Sequence, residues 1–197
     1  EGLLTSRLEE PLLVEVADNG PGIPAEVVER ILDYSSRTSD KQVYVSPTRG
    51  AQGNALKAIL AIGYVLSQAD PKEGLVVIES KGVRHTVVVR FDTIASRPVV
   101  AHLRDTLEVK TGGMRVRVWV EYARLHDRMR PDFYDSLAAS YLLLNPHMAL
   151  HLEDLGGQAH DSPAADVGWQ KWRPSDPTSP HWYSPEALGT LIAAHIA

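Results

Sequence analysis

The sequence predicts a chain of the α/β class, and three observations predict it. Strand-like apolar runs rich in β-branched residues, such as Leu75-Val76-Val77-Ile78, lie between turn residues. Apolar residues recur at helical spacing after each of two glycine-bearing segments, at Val27, Val28, Ile31 and Leu32 and again at Leu56, Ile59, Leu60 and Val65. The 197 residues, 44% of them apolar, are enough to bury a sizeable core.

Leu12 to Ala17 is a short apolar run holding one Glu, closed by Asp18-Asn19-Gly20-Pro21-Gly22. It reads as a buried strand that ends in a tight loop. Pro24 then starts a helix running to about Tyr34, with Glu26 and Glu29 near its amino end. Ser35 to Thr48 breaks the helical period and has the length of a functional loop. Arg49-Gly50-Ala51-Gln52-Gly53 leads into a second, strongly apolar helix that reaches about Ser67. Strand character follows in Leu75 to Ser80, Thr86 to Phe91, Leu107 to Val109 and Met114 to Tyr122, with Gly82, Pro98 and Gly112-Gly113 marking turns. A helix from about Pro131 to Leu144 is stopped by Asn145-Pro146, and His147 to Glu153 reads as a short strand. Gly156 to Val167 reads as a mobile loop. Pro185 and Glu186 open a final helix carrying Leu188, Leu191, Ile192 and Ile196. The expected organisation is one domain over 1–155 and a loop with a helical extension over 156–197.

Composition narrows the function classes. With 20 Lys+Arg against 25 Asp+Glu, no global positive field draws the chain onto nucleic acid. The absence of cysteine excludes a disulfide framework and thiolate metal sites, and fits the cytoplasm. No apolar run is long enough to span a bilayer, so a soluble protein without a membrane partner is expected.

Asp18-Asn19-Gly20-Pro21-Gly22 has a bland reading, a tight turn, because Asn-Gly and Pro-Gly are ordinary turn chemistry. Its setting suggests more: a strand, an acidic residue at its end, glycines, a helix, a long polar loop, then a second glycine pair opening a helix. A carboxylate at a strand end can accept a hydrogen bond from an adenine amino group, and glycines let a base approach the backbone. At the second glycine pair, backbone N–H groups and the positive end of the helix dipole can receive phosphate oxygens, with Arg49 and Gln52 as further donors.

The runs VEVADNGPGIP, DYSSRTSDKQ and TRGAQGNALKAI resemble the ATP-binding domain shared by gyrase, MutL and histidine kinases, the GHKL or Bergerat-fold family. Within it the chain is most similar to the B subunit of type VI DNA topoisomerase. Arg49-Gly50-x-Gln52-Gly53, Asn145-Pro146-His147 and Ser179-Pro180-His181 carry that preference. The resemblance implies a two-layer sandwich: a mixed, mostly antiparallel sheet with helices on one face and ATP held beneath a lid. It implies that Asp18 binds the adenine amino group while Gly20, Gly22 and Ile23 line the base. Ser35 and Ser36 match small polar lid residues, and Gly50, Ala51, Gln52, Gly53 and Asn54 would cradle phosphate. It also implies Mg²⁺ as the metal of the full-length parent, a homodimer on ATP binding, and a type VI A-like subunit and DNA as partners.

Two departures bear on activity. Gly113-Met114 stands where the family has a Gly-Thr pair, which removes one expected adenine contact. The family's first helix carries a Glu that activates water and an Asn that holds Mg²⁺, and residues 1–11 contain no such pair. The expectation is therefore a chain that lacks this helix, has no catalytic or metal-binding residue of its own, and binds ATP without hydrolysing it. A nucleotide-sensing or protein-interaction domain of the same fold is the alternative. The eight histidines show no ligand spacing with carboxylates and are expected to be hydrogen-bonded or solvated. The cluster Arg124, His126, Arg128 and Arg130 is diluted by Asp127, Asp132 and Asp135 and reads as a solvated loop.

Overall fold

The computed structural model describes residues 11–34, 55–67, 72–108, 112–122, 133–170, 176 and 178–196. The chain divides into two compact units, residues 1–42 with 52–127, and residues 43–51 with 128–197.

In the first unit, β1 (Pro11–Asp18), β2 (Gly74–Ser80), β3 (Val83–Asp92), β4 (Arg97–Thr106) and β5 (Met114–Glu121) form one sheet in the order β1-β5-β2-β3-β4. Every described pairing in it is antiparallel. The expected α/β class with an antiparallel sheet and helices is what the chain adopts. Registration places Val14, Val118 and Val76 in one row and Val16, Val116 and Ile78 in the next, so one face of the sheet is a field of β-branched side chains, covered over β5, β2 and β3 but open at β1, where Val14 and Val16 stay exposed. α1 (Ala25–Leu32) and α2 (Ala55–Leu66) pack on that face. Val28, Ile31 and Leu60 meet Val76, Ile78, Val87, Val116, Val118 and Val120 there.

β2 is the central strand and all seven of its residues are buried, which explains why it reads as a continuous apolar run rather than an alternation. α2 lies close against it. A Cβ on Gly63 would sit 3.1 Å from the Trp119 carbonyl oxygen, and one on Gly74 would sit 2.2 Å from the Tyr64 nitrogen. The glycines thus set the helix-to-sheet distance. The opposite face carries a charged ladder: Arg117 reaches Glu15 at 2.7 Å and Glu79 at 3.4 Å, while Arg84 reaches Glu79 at 2.7 Å.

One polar pair interrupts the apolar face. His85 is fully buried, and its Nδ1 lies 2.9 Å from His102 Nε2 on the neighbouring strand. The ring planes differ by 6° with centroids 5.1 Å apart. Two imidazoles joined end to end through one N–H···N bond have this geometry, so a single proton lies between the nitrogens. Burial, followed by the positive charges of His102 and Arg104, holds the His85 pKa below the usual 6.5.

Four sequence expectations shift. β1 forms where expected but is not a buried strand: of its described side chains only Leu12 is buried, and Leu13 to Asp18 are exposed because β1 is an edge strand. The fourth strand lies at Arg97–Thr106, ahead of the expected Leu107 to Val109, and takes Pro98 into the sheet as an edge residue. α1 ends at Leu32, because Asp33 is already extended at φ −79° and ψ 102°. In the second unit, Gly156 to Val167 contains a strand, β7 (Ala159–Ser162), which pairs with β6 (Leu150–Glu153). The hairpin turn between them is held by Asp154, whose Oδ1 accepts the Gly156 and Gln158 N–H groups at 2.8 and 2.9 Å. That Asx turn is local chemistry hidden in a Gly-rich stretch. α3 (Phe133–Leu144), a 3-10 turn (Pro180–Trp182) and α4 (Pro185–Ile196) complete this unit. No helix among the described residues is long and apolar enough to cross a membrane.

Candidate functional site

Asp18 is the last residue of β1 and Met114 the first of β5, and the two are register partners. Ser80, the last residue of β2, also pairs with Met114. Three strand ends therefore meet on one side of the sheet, and the Asp18-to-Pro24 turn crosses them before α1 begins.

The turn is held at both ends. Asp18 Oδ1 accepts the Gly20 N–H at 2.7 Å, which bends the backbone back over the carboxylate. Beyond the bend, the Ile23 N–H donates to Ser80 Oγ at 2.8 Å, and Ser80 Oγ donates to the Gly113 carbonyl at 3.3 Å. Gly22 has φ +68°, and a Cβ there would lie 2.6 Å from Ser80 Oγ and 2.7 Å from the Gly113 oxygen. Gly113 has φ +79°, and its Cβ would lie 1.8 Å from the Asp18 carbonyl oxygen. Both positions need a residue without a side chain, for conformation and for space.

Of the sequence-predicted residues, the structure brings Asp18, Gly20, Gly22 and Ile23 together. Ser35, Ser36, Arg49, Gly50, Ala51, Gln52, Gly53 and Asn54 lie outside the described residues, as do Arg124, His126, Arg128 and Arg130. The ends that flank residues 35–54 are described and meet. Lys57, buried on α2, donates from Nζ to the Asp33 carbonyl at 2.5 Å, and the Tyr34 hydroxyl donates to the Lys57 carbonyl at 3.3 Å. The ammonium thus sits at the negative end of α1. Asp33 and Tyr34, at the end of α1, are thus joined to the first turn of α2 by one clasp.

Ser80 and Lys57 are the residues that sequence reasoning missed. Ser80 ends an apolar strand before Lys81-Gly82, a pattern that signals only a turn; its partners are 57 and 33 residues away. Lys57 interrupts an apolar helix face, which was the available signal.

The motifs at 145–147 and 179–181 have turn chemistry of their own. Asn145 Nδ2 donates to the Tyr141 carbonyl at 2.9 Å and closes α3, and the His147 ring lies 4.9 Å from that of Trp169. Ser179 precedes the 3-10 turn without a side-chain cap bond, its carbonyl accepting the Trp182 N–H at 3.0 Å, beside a Thr178–Tyr183 hydroxyl bond of 2.9 Å. His151 pairs with Asp161 across the β6–β7 hairpin at 2.8 Å, and that hydrogen bond raises its pKa. No group of three or more His, Asp or Glu that could hold a metal ion occurs among the described residues.

No family model and no curated protein matches this sequence. Among solved structures, the chain is similar to the Aquifex aeolicus MutL ATPase domain complexed with ADP, at 16% identity and a TM-score of 0.45. The match covers 92% of this chain and 57% of that one, so this chain spans little more than half of its neighbour's length. An overlap of that quality transfers neither a ligand nor a reaction.

Proposed function

We propose that this chain is an ATP-binding domain of the GHKL type, with adenine received at the Asp18 turn. The observation that carries the reading is the turn's construction. Oδ1 of Asp18 is committed to the Gly20 N–H, which orients the carboxylate at an exposed strand end and leaves Oδ2 to accept an amino proton. Gly20 and Gly22 keep side chains out of the base's approach, and the bonded Ser80 and Gly113 hold that backbone in advance of the ligand. Ile23 supplies apolar contact. Phosphates would go to the N–H groups of 50–54, with Arg49 and Gln52 beside them and the Lys57 clasp fixing the start of α2.

The activity proposed is binding. Turnover needs a positioned water and a metal ligand, and neither is among the residues gathered at this turn, so no step is assigned to Mg²⁺. The finer proposal, a type VI topoisomerase B-like domain that dimerises on ATP and acts with an A-like subunit on DNA, rests on the sequence motifs at 49–53, 145–147 and 179–181.

Titration calorimetry with a non-hydrolysable ATP analogue and Mg²⁺ tests the reading. Binding by the chain that is lost in Asp18→Ala supports it. Equal binding by both proteins moves the ligand elsewhere, and no binding by either leaves the turn a purely structural device.

A further inference from the structure

Among the described residues β4 is an edge strand, and of the usual guards against pairing it has Pro98 and charged residues near its two ends but neither a lysine nor a bulge. Its register with β3 runs unbroken from Arg97 to Thr106, without a bulge, and it contains no lysine. Ten residues are long for an edge. All but one of them are exposed, including Leu103 at 60% and Val99 at 43%.

The direction of its free backbone groups follows from two observations. The Leu107 N–H donates back to Gly82 at 2.8 Å, so odd-numbered residues turn their N–H and C=O toward β3. Pro98, which has no N–H to lose, then falls on the open side, as an edge proline should. The open edge is therefore lined by the backbone groups of Pro98, Val100, His102, Arg104 and Thr106.

We infer that this edge pairs with β4 of a second copy, antiparallel, about a two-fold axis through Ala101. In that register Arg97 faces Asp105 of the other copy, Val99 faces Leu103, and Ala101 faces Ala101, all on the charged-ladder face of the sheet. Neither Arg97 nor Asp105 makes an ion pair among the described residues, so both charges are available. On the other face Val100 and His102 exchange backbone bonds, and the Arg104 N–H reaches the Pro98 carbonyl. Sliding the strands by one allowed step puts Arg97 opposite Leu103 or Leu107 and loses the charge match. The pairing is an isologous interface, and it owes nothing to nucleotide.

The chain contains no cysteine, so a single introduced thiol reports only on itself. In the proposed register the two Ala101 positions form a non-hydrogen-bonded pair, whose Cα separation of about 4.5 Å suits a disulfide. The two Leu103 positions lie four residues apart along the strands, about 13 Å, out of reach. Mild oxidation of the full chain without nucleotide should cross-link Ala101→Cys and leave Leu103→Cys largely monomeric. In sedimentation equilibrium, Arg97→Asp and Asp105→Arg should each weaken dimerisation by about tenfold, and the double variant R97D/D105R should restore it. A chain that sediments as a monomer throughout, cross-linking at 103 as efficient as at 101, or a double reversal as weak as the single ones would each overturn the pairing.

Discussion

The two compact units hold apolar residues in quite different ways. In the first, helices at 25–32 and 55–66 press Val28, Ile31 and Leu60 onto the valine rows of a five-stranded sheet, and these side chains are almost wholly removed from water. In the second, no described side chain of α3 or α4 reaches that degree of burial, and Leu143 stays 81% exposed. Apolar content alone therefore does not report stability. Burial against a sheet does, because removal of apolar area from water supplies the driving force. The candidate nucleotide turn sits on the strand ends of the well-packed unit, and this is where precise geometry can be maintained.

The sharpest break in this contrast should come at the turn itself. Gly113→Ala places a methyl on the Asp18 carbonyl in a left-handed backbone. It should cost about 4 kcal/mol and abolish nucleotide binding, readable by urea denaturation and calorimetry. Next comes a matched pair of truncations. Leu60→Ala should cost about 2–5 kcal/mol, whereas Leu143→Ala should stay within about 0.5 kcal/mol; equal losses would dissolve the distinction between the units. A smaller effect is expected for Ser80→Ala, about 1–2 kcal/mol, from the stranded Ile23 N–H. Its affinity for an ATP analogue should fall as well, since the turn is no longer held in advance.

The smallest effect concerns pH. The folded His85 pKa lies below its unfolded value of 6.5, so unfolded chains take up a proton first as the pH drops. Stability from this residue is intact above about pH 6.5 and is lost as the pH falls toward the lowered folded value. Urea midpoints between pH 8 and pH 5, roughly the range over which histidine titrates, should show this slope, and His85→Leu should flatten it. A variant with the same slope would assign the titration to other histidines.

Much of the fold was legible because its signals are local. Helical periodicity located α1 and α2, β-branched runs located β2 and β5, and Pro185 located the start of α4. β4 was displaced because Pro98 reads as a breaker, and only the sheet order shows that it occupies an edge. The histidines showed no ligand spacing, yet His85 and His102 meet, because two strands joined by a turn place residues 17 apart on one face. Asp18 and its glycines could be picked out as a site by their residue types. Ser80 and Gly113 could not be picked out as their supports, because nothing in either neighbourhood specifies which strand will lie beside it.

By itself, the sequence determined the α/β class, the Asp18-to-Pro24 turn, and the helices that follow each glycine-bearing segment. These depend on backbone preference and periodicity within a few residues of chain. Tertiary structure alone decided the strand order, the clasp of Lys57 on α1, the shared proton of His85 and His102, and the Ser80 bridge that holds the turn in place. Each of these joins groups distant in the chain, and their partners are set by the register in which the valine rows pack.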